Sequence, residues 1–150
     1  MAVYSGVVRS LTPLTTDDNW SLAAGASESC EVFDVHWGGE VTASAAMMTR
    51  VARSSGQAGA VTAGNVAKAH PYSVTNVIAF GLTYATTQPT LDAGDLFGES
   101  WNAHGGVVRW LADRDREEFI LIGATAELVI SCRNAVGTSV STYGVAWEEN

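Results

Sequence analysis

Two stretches near the C-terminus constrain the fold more than anything else in the chain. In Ala126-Glu127-Leu128-Val129-Ile130-Ser131-Cys132-Arg133 every even position is apolar, and three of the four odd positions are polar. Successive side chains of a strand point to opposite faces, so this stretch reads as a half-buried β-strand. After the turn residues Asn134 to Gly137, Tyr143, Val145 and Trp147 alternate with Gly144 and Ala146. That is a second strand, and the two together read as an antiparallel hairpin that closes the chain.

Other runs extend the pattern. Val74, Ile78, Phe80, Leu82 and Tyr84 share one face; Phe33, Val35 and Trp37 share another, ended by Gly38-Gly39. Val107 to Leu111 and Phe119 to Ile122 are short apolar runs, and Val3 to Leu11 is a strand ended by Pro13. Composition agrees: Val, Ile and Thr supply 35 residues, Gly 15, and Lys68 is the single lysine, a balance that favours strands and turns over a helix bundle. With 47% hydrophobic and 16% charged residues, the 150-residue chain has the makings of one folded domain. Glu40 to Arg53 is ambiguous, because Val41, Ala45, Met48 and Ala52 also fit a helical stripe. Ser54 to Pro71, rich in Gly, Ala and Ser without a period, reads as a long loop. The expectation is a single all-β domain over residues 1–150, an antiparallel β-sandwich or jelly roll. Trp37, Phe80, Leu82, Leu128, Ile130, Val145 and Trp147 are expected in its core.

Charge and motifs exclude more than they assign. A net charge of −8 repels phosphate backbones and anionic membranes, so neither nucleic acid nor membrane is an expected partner. No apolar stretch approaches the ~20 residues of a spanning helix, and the start of the chain has no secretory pattern. Cys30 and Cys132 read as buried reduced thiols. His36, His70 and His104 stand in no metal-ligand spacing, and no nucleophile elbow or phosphate loop occurs. The expectation is a protein without catalytic residues, cofactor or metal.

The densest polar cluster is Asp113-Arg114-Asp115-Arg116-Glu117-Glu118, close behind Trp101, Arg109 and Trp110. It reads either as a self-neutralising surface turn or as a partner contact, since Arg and Trp are frequent interface anchors. Here the second half of the chain resembles a group of small tailed-phage virion proteins. The likeness lies in Trp101-Asn102-Ala103-His104-Gly105-Gly106, Arg109-Trp110, Asp113 to Glu117, Glu127 to Ile130 and the terminal Gly144-Val145-Ala146-Trp147-Glu148-Glu149. Ala2 to Gly6 matches the group's short polar opening strand, and Arg50-Val51-Ala52-Arg53-Ser54-Ser55-Gly56 its mid-chain strand and Gly-rich loop. The resemblance implies a β-sandwich or jelly-roll capsid decoration (cement) protein, made in the host cytoplasm and carried on the outside of the virion. It also tips Glu40 to Arg53 towards a strand. The implied partner is the major capsid protein. Five tryptophans and the threefold positions of a capsid point to a homotrimer. The candidate contacts are Arg109, Trp110, Arg114 and Arg116, with Tyr4 and Arg9 from the N-terminal segment. The alternative is a phage tail or fibre component that binds carbohydrate through exposed aromatic rings.

Overall fold

The computed structural model describes residues 2–11, 20–24, 29–56, 61–69, 78–84, 89–112, 119–122, 127–134 and 141–149. The elements among them are all strands: β1 (Ala2–Leu11), β2 (Trp20–Ala23), β3 (Ser29–Gly39), β4 (Ala46–Gly56), β5 (Val61–Ala63), β6 (Val66–Lys68), β7 (Ala79–Tyr84), β8 (Thr90–Asn102), β9 (Val107–Leu111), β10 (Phe119–Ile122), β11 (Glu127–Asn134) and β12 (Ser141–Glu149). They form two antiparallel sheets. The first runs β10-β3-β12-β1-β6, with β9 also paired to β3; the second runs β5-β7-β2-β11-β4-β8.

The pairing has a single logic. β1 pairs with β12, β2 with β11, β3 with both β10 and β9, and β4 with β8. One limb of a ribbon therefore runs β1 to β4 while the other returns β12 to β8, and successive pairs fall in alternate sheets. This is the jelly-roll winding, and it matches the expected fold class. It also corrects the expected C-terminal hairpin. β11 lies between β2 and β4 in the second sheet, and β12 between β1 and β3 in the first. Alternation fixes which side chains face inward, but it does not say which strand lies alongside.

Two further expectations change. Within the expected loop of residues 54–71, the structure places the end of β4 and two short strands, β5 and β6. β6 pairs with β1 and β5 with β7, so both occupy sheet edges. Strands of three residues are too short to show a period, and edge positions demand no apolar side chains. In the ambiguous segment, a strand forms only from Ala46, and Met48 is 47% exposed, which breaks the helical stripe.

The core lies between the sheets and is aromatic. Tyr4 stacks on Trp147 at 6.0 Å, Phe80 of the second sheet meets Trp147 at 6.3 Å, and Trp37 stacks on Phe97 at 6.0 Å. Gly6 makes that closeness possible: a Cβ there would lie 2.6 Å from the Phe80 ring. Of the expected core, Trp37, Phe80, Leu128, Val145 and Trp147 are buried. The side chains of Leu82 and Ile130 lie outside the described set. Phe33 does not share the face of Val35 and Trp37. The ladder to β12 skips it, pairing Trp147 with Val32 and Ala146 with Asp34, and this bulge reverses the parity of β3. Cys30 and Val32 are buried on one side of the bulge, Val35 and Trp37 on the other. The bulge coincides with the gap between β10, which pairs with Ser29 to Val32, and β9, which pairs with Asp34 to Gly38. The Phe33 carbonyl is not wasted, since it accepts the Ala112 N–H at 2.8 Å.

Candidate functional site

The outward faces of β9, β3, β12 and β1 build the candidate site by register alone. Directly opposed residues of antiparallel strands point the same way. One row therefore runs Arg109, His36, Gly144, Val7; the next runs Leu111, Asp34, Ala146, Ser5; and Val107, Gly38 and Thr142 make a third. Most of these side chains are small, so the floor is flat. At Gly144 a Cβ would run into the His36 imidazole, so a side chain there would have to displace that ring.

Arg109 is the fixed charge of this face. Its Nε donates to Asp34 Oδ1 at 3.0 Å and its Nη2 to Asp34 Oδ2 at 2.7 Å, a bidentate clamp that holds the guanidinium against the sheet. The hydrogen bonds, and then the charge, of Asp34 push the Arg109 pKa further up. The Asp34 side chain is only 14% exposed, that of Arg109 56%. The Nη1 group remains for a partner's carbonyl or carboxylate. His36 Nδ1 stands 4.0 Å from Asp34 Oδ1, so a protonated imidazole would share the same carboxylate. On either side of Arg109 along β9, Val107 is 73% and Leu111 56% exposed. Two aliphatic side chains flanking an arginine held by Asp34, on a floor of mostly small side chains, have the make-up of a protein-contact surface.

The structure separates the sequence-derived contact residues. Arg109 lies on this face and Arg9 is exposed on β1. Trp110 points the other way, half-buried against the core. Tyr4 is corrected outright: fully buried and stacked on Trp147, its ring cannot reach a partner. The polar residues Ser5 and Arg9 mark the odd positions of β1 as its outer side, which is the signal that places Tyr4 inward. Arg114, Arg116 and the rest of the cluster 113–118 lie outside the described residues. Asp34 is not singled out by the sequence, and His36 only as one of three histidines outside any metal-ligand spacing. Their alternation with Val35 and Trp37 marks them as outward, but only the β3–β9 register brings them to Arg109.

The four tryptophans whose side chains are described serve the core, and that of Trp20 lies outside the described set. Trp37, Trp101 and Trp147 are buried and Trp110 packs on the core. Among the described residues no aromatic side chain is exposed, so none forms a platform on which a sugar could stack. Compared with known proteins, the chain matches no family model and no curated sequence.

Proposed function

We propose that this protein is a structural component of a tailed-phage virion that docks on the outer capsid surface and bridges neighbouring capsid subunits, as decoration proteins do. The observation that carries the proposal is the flat outer face of the first sheet, where Asp34 immobilises Arg109 between exposed Val107 and Leu111. The jelly-roll winding and the virion-protein resemblance agree with it. The binding partner is the major capsid protein, and the protein acts on the exterior of the particle without cofactor or turnover.

Size decides how such a face must work. Strands stand ~4.8 Å apart and residues two apart along a strand ~6.8 Å, so four strands by three rows present roughly 400 Å². A stable interface takes about 800 Å² from each partner. One copy of this face is too small to hold alone. A homotrimer that engages several capsid subunits at once supplies the missing strength through effective concentration. Arg109→Glu combined with Leu111→Glu removes the fixed cation and one aliphatic contact on the exposed face. The double variant should stay folded and trimeric by light scattering, yet co-sediment with shells of the encoding phage about tenfold more weakly. Undiminished co-sedimentation would take this face out of the interface, and a monomer in solution and on the shell would contradict the trimer.

A further inference from the structure

The second sheet ends on β8, and among the described residues no strand lies along its outer edge. β8 is 13 residues long, and most of its side chains are exposed on both faces. Its outward backbone N–H and C=O groups are thus open to another strand. Asp92, Asp95 and Glu99 are all exposed along it, and the strand contains no Lys, Arg or His. Arg50 of β4 stands 3.7 Å from Asp95 and answers one of the three carboxylates.

An open trough of about 320 Å³ lies against the same edge, walled by Met48, Arg50, Asp95, Glu99 and Ser100, with Gly98 as its floor. Gly98 keeps it open: a Cβ there would meet only the Thr49 carbonyl oxygen, at 3.7 Å. From Phe97 to Asn102 the ladder to β4 is unbroken, whereas the register shifts and the positive φ of Gly94 fall in the half before Phe97. The regular half is therefore the part that can template a new strand.

We propose that the β8 edge accepts an extended, basic peptide segment of a partner as an added strand. Main-chain hydrogen bonds along Phe97 to Asn102 would supply affinity. A Lys or Arg side chain on the face of Glu99 would meet that carboxylate, and an aliphatic side chain at the next position, on the opposite face, would fill the Gly98 trough against Met48. Charge selects this occupant over a second copy of the chain. A second copy would bring the same three carboxylates, with no cation on its own β8, against this edge. Like charges directly opposed across strands are destabilising.

The test is an anisotropy titration at low ionic strength with three fluorescent peptides of about ten residues. One alternates Lys and Val, one alternates Glu and Val, and the third has the Lys/Val composition broken by two prolines so that it cannot pair as a strand. Only the first should bind, and hydrogen exchange should slow at Phe97 to Asn102. Asp92→Lys with Glu99→Lys should weaken it about tenfold. Gly98→Leu, whose Cβ fits without collision, should do the same by filling the trough, with circular dichroism unchanged in both variants. Equal binding of the proline-containing peptide, full binding by the charge-reversed variant, or protection on another strand would overturn the proposal. Absence of binding would also overturn it and leave the carboxylates as guards against edge pairing. Concentration-dependent protection of β8 without peptide would identify a second copy as the occupant instead.

Discussion

Trp37 and Trp147 are both fully buried, yet their indole N–H groups are treated differently. Trp147 Nε1 donates to Glu149 Oε1 at 3.0 Å, and the same oxygen accepts the Ile78 N–H at 3.1 Å. Trp37 Nε1 is buried without a hydrogen-bond partner. Replacing either ring by Phe removes a similar volume, but only Trp147→Phe deprives a buried carboxylate of a donor. Trp37→Phe instead removes an unsatisfied donor, so Trp147→Phe should be the more destabilising by about 1–3 kcal/mol in urea unfolding. Equal losses would contradict the assignment of these two bonds. Cys30 lies opposite Glu149 in the ladder. Burial, and then the charge of Glu149, pushes its thiol from an ordinary 9.0 up to about 12. The folded thiol keeps its proton where the unfolded one has lost it. Stability from this group is therefore intact below pH 9 and is lost as the pH rises through 12. The loss is on the order of 4 kcal/mol at full effect. Unfolding measured at pH 8 and at pH 11 should show a steeper decline in the native protein than in Cys30→Ala; parallel declines would contradict the thiol's part in it.

At the scale of elements, the two sheets approach closely where Phe80 of β7 lies over Gly6 of β1. Gly6→Ala would drive a methyl group into the Phe80 ring. It should cost about 1–3 kcal/mol as overpacking, and Phe80→Leu in the same chain should recover part of that loss. If the two substitutions simply add, the rings and the glycine are not in the contact described. The same scale shows what a sequence can and cannot disclose. β11 and the alternating part of β12 are plain in it because a half-buried strand must alternate, and β9 and β10 show as short apolar runs. The bulge at Phe33 is not plain, because one unpaired residue leaves two runs of correct alternation in opposite phase, and apolar Phe33 reads as a member of the Val35 and Trp37 face. β5 and β6 are hidden by their shortness, and the partners of β11 by the absence of any pairing code in alternation. Of the candidate site, Arg109 is legible as an arginine beside a tryptophan. Its clamp is not, since Asp34 lies 75 positions away and arrives only through the β3–β9 register.

For the whole molecule, the winding matters more than any one contact. Its outermost pair, β1 with β12, joins the two ends of the described chain, so the ribbon cannot close until both ends are made. Nearly every pairing is non-local, which places folding in the millisecond-to-second range expected of such β topologies. The closed sandwich presents two unlike surfaces: the flat face around Arg109 and the acidic edge of β8. A net charge of −8 opposes non-specific association and lets binding be governed by these local features. On the proposed reading the protein binds the assembled shell and not its dissociated subunits, so mass action stabilises the shell by about 2.7 kcal/mol at a hundredfold excess over Kd. The most direct measurement is the temperature at which emptied shells of the encoding phage rupture, taken with and without this protein added back. The account predicts a rupture temperature that rises with added protein and saturates once the sites are filled. An unchanged rupture temperature at saturating protein would contradict it.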